Sequence, residues 1–176
     1  EIGPGLGTLT SEVLRRADKV IAVEFDGELA RKLPGQFPGK NLVVYSEDIL
    51  KFDFNQLPKG YKVVANVPYY ITSKIVERLM TAQNKPAIAV LLVQKEVAER
   101  IAAGPGNMSI LAVSAQIYAK ASMGIKVPAK YFTPPPKVDS QVVILETFDK
   151  PLATGDAEKA LFRVVKAGFG AKRKKL

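Results

Sequence analysis

The chain has 176 residues, contains neither cysteine nor histidine, and carries 26 Lys+Arg against 17 Asp+Glu, a formal net charge of +9. These totals exclude disulfide bonds, thiolate chemistry, a histidine base and a typical zinc site, so no metal is expected. The positive charge favours a polyanionic partner, and the longest purely apolar run, Ala87 to Val93, is far too short to span a membrane. Any chemistry must use carboxylates, amides, hydroxyls, lysines or a cofactor, and a chain without cysteine is compatible with the cytoplasm.

In chain order, short apolar runs typical of strands alternate with segments whose apolar residues recur at helical spacing. The runs expected to form strands are Val20–Val23, Leu42–Tyr45, Lys62–Ala65, Ala87–Val93 and Gln141–Glu146. One helix is expected after the opening glycines, another from Ile71, and a longer, buried one from Met108 to Ala119. The opening Glu1-Ile2-Gly3 is typical of a strand end, and the chain stops inside a basic run, so we expect a fragment of a longer protein.

The alternation of strands and helices predicts an α/β fold with a mostly parallel sheet and helices on both faces. Residues 126–148 differ, because a strand, a proline-rich loop and a second strand follow one another without a crossover helix and should form an antiparallel pair. This outline is similar to the class I S-adenosylmethionine-dependent, Rossmann-like methyltransferase fold, which implies seven strands. We expect a catalytic domain over residues 1–150 and the start of a helical second domain over residues 151–176.

The opening EIGPGLGTLT places Gly3, Gly5 and Gly7 between a strand end and a helix. Glycines there permit a tight turn and let backbone N–H groups approach a ligand closely. A dinucleotide-binding loop requires G-x-G-x-x-G, which fails in both possible registers and argues against a nicotinamide oxidoreductase. The spacing G-x-G-x-G, preceded by the acidic Glu1, suits a ligand without a pyrophosphate, although the loop alone is also compatible with a plain turn.

Two carboxylates follow the next two predicted strands. Glu24 ends the second strand, 17 residues after Gly7, near the distance at which a carboxylate meets ribose hydroxyls in such folds. Asp48 ends the third strand, where it could accept a hydrogen bond from an adenine amine. Each acid alone is also typical of a solvated loop. Because the carboxyl ends of parallel strands meet at one edge of a sheet, the acids and the glycine loop together predict a cofactor crevice.

The stretch VVANVPYYITSK ends a buried strand with an amide, a proline and two tyrosines. An adenine amine is a poor nucleophile because its lone pair is delocalised into the ring. The Asn66 oxygen and the carbonyl of Val67 or Pro68 could hold the amine's N–H groups and draw this lone pair out of conjugation. Tyr69 could stack on a base removed from its helix, a contact that contributes ~1–3 kcal/mol. The structural alternative is a strand-ending turn with core tyrosines.

Three separated motifs carry a family resemblance over nearly the whole chain. NVPYY resembles the Asn-[Leu/Ile/Val]-Pro-[Tyr/Phe] motif of adenine amino-methyltransferases, and EIGPGLG resembles the cofactor loop of the ribosomal RNA adenine dimethyltransferases. YFTPPPKVDSQVV is similar to that family's F-x-P-x-P-x-V-x-S loop. Within the family the pattern looks most like the bacterial KsgA-type enzymes, which dimethylate two adjacent adenosines near the 3′ end of small-subunit ribosomal RNA.

The resemblance implies S-adenosylmethionine as cofactor and a role for each matched residue. The implied cofactor-binding residues are Glu1, Gly3, Gly5, Gly7, Glu24, Asp48, Ile49 and Asn66. Asn66, Pro68 and Tyr69 would act on the target base, with Tyr69 stacking on it. Phe132 would supply a second stacking face. Independently of the resemblance, the uneven positive charge makes the basic Lys172, Arg173 and Lys174 candidate RNA contacts, although a run of this kind is also typical of a solvated tail.

Several alternatives stay open. Erm-type macrolide-resistance methyltransferases, which act on large-subunit RNA, share these motifs. A non-catalytic ribosome-assembly or RNA-binding factor could use the same fold, although a pure binder has no need of Asn66, Pro68 and Tyr69. A DNA adenine methyltransferase would usually carry Asp in place of Asn66. The favoured interpretation is a cytoplasmic, monomeric enzyme whose partner is ribosomal RNA or a small-subunit precursor, with no membrane contact.

Overall fold

The computed structural model describes residues 1–170. The helices are α1 (Thr8–Val13), α2 (Gly27–Lys32), α3 (Thr72–Thr81), α4 (Lys95–Ile101), α5 (Ile110–Gln116) and α6 (Gly155–Gly170). The strands are β1 (Val20–Glu24), β2 (Leu42–Ser46), β3 (Lys62–Asn66), β4 (Ile88–Gln94), β5 (Ala119–Val127) and β6 (Ser140–Thr147). Within residues 1–170, no helix combines the length and the apolar character needed to cross a membrane.

The strands form one mixed sheet that is joined through Ile2. This residue pairs in parallel with Val23 of β1 and with Ala65 of β3, which places it between the β1–β2 pair and the group ordered β3-β4-β6-β5. β1 runs parallel to β2 and β3 to β4, whereas β6 is antiparallel to both β4 and β5. The predicted parallel sheet that ends in an antiparallel pair is therefore confirmed. The described residues form six strands, one fewer than predicted. The seventh position of the sheet, between β1 and β3, is occupied by Ile2 alone.

The prediction of a helix from Met108 to Ala119 was wrong at both ends. α5 begins only after Ser109, whose hydroxyl accepts the Ala112 N–H at 3.2 Å and caps the helix. Ala119 already belongs to β5, where it pairs with Thr147 of β6. A continuous apolar run suits a buried strand as well as a buried helix, so pairing with β6 decided its conformation.

The core lies between the sheet and the helices packed against it. Ala89, Leu91 and Val93, alternate residues of β4, are completely buried, as are Ile75 and Leu79, one helical turn apart on α3. These two periodicities match the sequence pattern that predicted the elements. The packing fixes β4 and β3 relative to α3, and so sets the position of the turn that connects β3 to α3.

Candidate active site at the carboxyl edge of the sheet

The strand register brings three of the predicted site residues side by side. Ile2 pairs with Val23 and with Ala65, so the residues that follow each of these, Gly3, Glu24 and Asn66, emerge at adjacent strand ends. The glycine loop, the predicted ribose-binding acid and the predicted target-binding amide thus share one edge of the sheet. This is the edge at which open α/β sheets bind their ligands.

The glycine loop leaves the sheet with its three glycines at positive φ: 63° at Gly3, 56° at Gly5 and 85° at Gly7. Gly7 also has no room for a side chain, because a Cβ there would lie 2.9 Å from Leu33 Cδ1. A Cβ at Gly3 or Gly5 would meet nothing within 4 Å. Gly7 therefore serves the packing of the loop, whereas the other two glycines leave open space beside the backbone.

The side chain of Glu24, the last residue of β1, forms a hydrogen bond to this loop. The residue is only 8% exposed. Its Oε2 accepts the Gly5 N–H at 3.0 Å, and its Oε1 accepts the Asp26 N–H at 2.9 Å. A carboxylate has about four lone-pair sites, so each oxygen can still accept a further hydrogen bond. The Glu24 side chain can therefore hold the loop and bind ligand hydroxyls together.

Glu1 adds a second carboxylate at the base of the loop. Burial raises the pKa of the Glu1 carboxyl above its ordinary value, and the neighbouring Glu24 carboxylate acts in the same direction. A hydrogen bond from the neighbouring Thr10 hydroxyl acts on this pKa in the opposite direction. Within residues 1–170, neither Glu1 Oε2 nor the Thr10 hydroxyl has a further hydrogen-bond partner. The Glu1 carboxyl therefore keeps acceptor capacity for a ligand that carries hydrogen-bond donors.

Asp48 lies two residues beyond the end of β2, next to the strand that ends in Glu24. Its Oδ1 accepts the Leu50 N–H at 2.9 Å, which orients the half-buried side chain. Ile49 turns the other way and belongs to the core, with 7% of its surface exposed. The two carboxylates therefore follow neighbouring strands, as the sequence predicted.

The turn after β3 combines an exposed amide with a fixed backbone. Asn66 is exposed, whereas Val67 is buried and its N–H donates to the Leu92 carbonyl at 3.0 Å. The Pro68 carbonyl accepts the Ile71 N–H at 3.2 Å and the Thr72 hydroxyl at 3.3 Å. With both lone pairs of Pro68 engaged, the carbonyl of Val67 is the better candidate for a second acceptor beside Asn66.

The two tyrosines of this turn differ in their surroundings. Tyr69 is half-buried, and its hydroxyl lies 2.8 Å from the Ser140 hydroxyl. Tyr70 is 87% exposed. Neither ring is part of the buried core, which argues against the alternative that this stretch is only a turn with core tyrosines.

The proline-rich loop between β5 and β6 carries the half-buried Phe132. Asp139 closes this loop at its base: its Oδ1 accepts the Ala129 N–H at 3.0 Å, and its Oδ2 lies 2.7 Å from Lys126 Nζ. The Lys126 ammonium and the Ala129 N–H hold the pKa of Asp139 below its ordinary value. The loop is thus anchored at the residue that precedes Ser140.

Two exposed apolar side chains near this edge were missed in the sequence. Phe25, directly after Glu24, is 79% exposed, and Leu6, inside the glycine loop, is 76% exposed. A single exposed apolar residue is common on protein surfaces, so neither side chain carried a signal until the fold placed both beside the glycine loop. The predicted RNA contacts Lys172, Arg173 and Lys174 lie outside the described residues.

A cavity of about 690 Å³ lies elsewhere, between α6 and the helices α3, α4 and α5. None of the predicted site residues lines it. Its charged lining consists of the basic Arg100, Lys159, Arg163 and Lys166 and the acidic Glu77 and Glu158. In the part of the chain that the structure describes, no group of three or more acidic residues is arranged to hold a metal ion.

Comparison with known proteins agrees with this geometry. A model of the family described as ribosomal RNA adenine dimethylase matches residues 1–176. The chain is 42% identical to the ribosomal RNA small subunit methyltransferase A of Dehalococcoides mccartyi, covering all of this chain and 62% of that protein. It is also 42% identical to the protein of that name from Moorella thermoacetica, covering 99% of this chain and 65% of the relative.

Two solved structures share the fold closely. A dimethyladenosine transferase from Plasmodium falciparum superposes with a TM-score of 0.85 at 33% identity, over 99% of this chain and 64% of the other. The 23S rRNA methyltransferase ErmE superposes with a TM-score of 0.83 at 31% identity, over 99% and 70%. The predicted class I methyltransferase fold is confirmed. The chain spans a little under two thirds of the length of the curated relatives named above, and it belongs to the ribosomal RNA adenine dimethylase family.

Proposed function

We propose that this protein transfers methyl groups from S-adenosylmethionine to the N6 amine of adenosines in ribosomal RNA and forms dimethyladenosine. Its target would be two adjacent adenosines near the 3′ end of small-subunit RNA. The single observation that carries the proposal is the placement of Gly3, Glu24 and Asn66 at adjacent strand ends. Family membership and the small-subunit names of the curated relatives support it.

The donor groups on the cofactor match the acceptors around the glycine loop. Glu24 keeps spare lone pairs for the ribose hydroxyls, and the half-buried carboxylate of Glu1 suits the ammonium group. Asp48 would accept a hydrogen bond from the amine of the cofactor's adenine, and the exposed ring of Phe25 would offer an apolar face beside that adenine. Gly3 and Gly5 leave room for the ligand close to the backbone. When bound, S-adenosylmethionine supplies an electrophilic methyl group.

On the target side, Asn66 and Val67 would prepare the nucleophile. The Asn66 Oδ1 and the Val67 carbonyl accept the two N–H groups of the adenine amine, which localises the lone pair on nitrogen and directs it toward the glycine loop. These acceptors gain strength as positive charge develops on the amine, so they favour the transition state over the ground state. No strong base is required, because the amine becomes strongly acidic once the new N–C bond forms, and the proton that it releases can pass to solvent water.

Aromatic side chains would hold the base in this position. The half-buried Tyr69 offers one face for stacking, and Phe132 of the proline-rich loop offers a second. Stacking tolerates any base, so the two acceptors at Asn66 and Val67 would favour a base that presents an exocyclic amine, as adenine does, over one that presents a carbonyl. This division assigns the positioning of the base to the rings and the recognition of its amine to the amide and carbonyl.

RNA would approach across a basic surface. The α6 residues Lys159, Arg163 and Lys166 line the cavity beside α3, whose first turn follows Tyr70. Lys172, Arg173 and Lys174 would extend this surface. Such contacts neutralise phosphates and set the orientation of the RNA without reading its sequence.

The test uses the full-length protein, tritiated S-adenosylmethionine and small ribosomal subunits that lack these methyl groups, with large-subunit RNA as the parallel substrate. Label recovered as dimethyladenosine in small-subunit RNA is the expected result. Label only in large-subunit RNA would assign the protein to the resistance-type branch, to which ErmE belongs. Label in neither, with cofactor still bound, would contradict the proposal and favour an assembly factor without turnover.

A further inference from the structure

The hydroxyl pair Tyr69–Ser140 connects the two segments that carry the aromatic faces of the site. The oxygens lie 2.8 Å apart although the residues are separated by 71 positions in the chain. Tyr69 belongs to the turn after β3, and Ser140 ends the proline-rich loop that carries Phe132. A hydrogen bond between them therefore joins the turn to the loop.

Ser140 is the fixed member of this pair. It is completely buried, and as the first residue of β6 it pairs with Gln94 of β4 on one side and with Val127 of β5 on the other. Asp139, immediately before it, accepts the Ala129 N–H and makes an ion pair with Lys126, while its carbonyl accepts the Lys95 N–H at 3.0 Å. The serine hydroxyl is thus held in place by its strand and by the base of the loop.

Tyr69 is the adjustable member. Its ring is half-buried and sits in a short turn at Tyr69–Ile71, next to the exposed Tyr70. A tyrosine ring moves about two side-chain torsions, and a hydrogen bond at its far end restricts the first, because the hydroxyl oxygen lies on the axis of the second. Tyr70, which is 87% exposed, has no comparable tether among the described residues. The structure therefore distinguishes the two adjacent rings by this one contact.

We propose that Ser140 is a positioning residue that holds the Tyr69 ring at the place where it can stack on the target adenine. This inference rests on the proposed function. Ser140 does not touch the reacting atoms, so its loss should act entirely through Tyr69. The affinity for the cofactor should not change, because the glycine loop and Glu24 lie at the other side of the crevice.

The test compares Ser140→Ala, Tyr69→Phe and the double variant in the full-length protein. Each single change removes the same hydrogen bond, so each should lower kcat for methyl transfer about fivefold to tenfold. The double variant should lose no more than either single variant, because the second change has no bond left to remove. The affinity for S-adenosylhomocysteine should stay within about twofold in all three.

Thr147→Val is the matched control. Thr147 ends the same strand, and its buried hydroxyl has no hydrogen-bond partner within residues 1–170. This variant should keep wild-type kcat, which separates loss of the Tyr69 contact from a general weakening of β6. If Ser140→Ala does not fold, Tyr69→Phe still removes the bond from its more exposed end.

A spectroscopic readout reports on the ring itself. RNA with 2-aminopurine at the target position should fluoresce more strongly in complexes of Ser140→Ala or Tyr69→Phe than in the wild-type complex, because an extruded base that stacks less on the Tyr69 ring is quenched less. Wild-type kcat and quenching in Ser140→Ala would overturn the inference, as would a double variant whose loss equals the product of the single losses. A wild-type protein that transfers no methyl group to any RNA would instead overturn the proposed function, and this inference with it.

Discussion

The two sides of the crevice are built differently. On the side proposed to bind the cofactor, here called the cofactor side, Glu24 is 8% exposed and both of its oxygens accept backbone N–H groups, while Gly7 packs against Leu33. On the side proposed to bind the target base, the target side, Asn66 is exposed and Tyr69 is held at one point, by Ser140. The first side is formed before any ligand arrives, whereas the second stays open at the surface.

This contrast follows from what each side would bind. A small cofactor can enter a crevice whose walls are already fixed, and fixed walls reduce the entropic cost of binding. A base carried by a large RNA must be turned out of its helix and inserted, which requires an open entrance. If the two sides act as separately as their structures indicate, a substitution on one side should leave the function of the other unchanged.

The largest expected effect concerns the target side. Asn66→Ala removes an acceptor that strengthens in the transition state, so we expect kcat to fall about 100-fold, with cofactor affinity within about twofold of wild type. Steady-state methyl transfer and calorimetry with S-adenosylhomocysteine measure the two quantities. Asn107→Ala, at another exposed amide, is the control and should match wild type. Equal losses of catalysis and cofactor affinity would show that the two sides are not separate.

Stability should respond mainly to the cofactor side. Gly7→Ala must adopt a left-handed backbone and place its Cβ 2.9 Å from Leu33 Cδ1. We expect the free energy of unfolding to fall by about 2–3 kcal/mol, from strain and overpacking together. Gly3→Ala meets the same backbone restriction without the contact and should cost about 1 kcal/mol. Urea denaturation compares them, and equal losses would contradict the packing role of Gly7.

Cofactor affinity should depend on Glu24. The Glu24→Gln side chain keeps one acceptor oxygen, but its NH₂ group faces a backbone N–H that the carboxylate had accepted. The loop therefore loses one hydrogen bond, and the ribose loses one acceptor. We expect about tenfold weaker binding of S-adenosylhomocysteine. Glu28→Gln, on the exposed face of α2, should bind as wild type does. Unchanged affinity in Glu24→Gln would move the ribose site elsewhere.

The smallest effect separates RNA affinity from catalysis. Arg163→Ala should reduce the slope of log affinity against log salt by about 0.7, the value for one phosphate contact on single-stranded RNA. Asn66→Ala should leave that slope unchanged, because an amide carries no charge. Filter binding over a salt series measures both. A changed slope in Asn66→Ala would mean that this residue helps to hold the phosphate backbone.

The sequence predicted the cofactor side more completely than the target side. Glycines at a strand end and acids after two successive strands form a pattern that parallel topology brings together, and Glu24 indeed ends β1 beside the loop. Asn66 was predicted because an amide and a proline are unusual endings for a buried strand. The register through Ile2 then places both at one edge.

The remaining features depend on tertiary contacts that leave no local pattern. The bond between Tyr69 and Ser140 joins positions 71 residues apart, and two hydroxyls carry no spacing that predicts their pairing. The hydrogen bonds that the Pro68 carbonyl accepts from Ile71 and Thr72 could not be predicted, because they depend on the conformation of the turn. The start of β5 at Ala119 was missed because an apolar run does not distinguish strand from helix.

The most direct test of this account is a crystal structure of the full-length protein with S-adenosylhomocysteine and a short RNA that contains the target adenosines. The account predicts that Glu24 binds the ribose hydroxyls of the cofactor, and that Asn66 Oδ1 and the Val67 carbonyl lie within hydrogen-bonding distance of the adenine N6. The account would be contradicted by a cofactor whose ribose lies away from Glu24, or by a target amine held by residues other than Asn66.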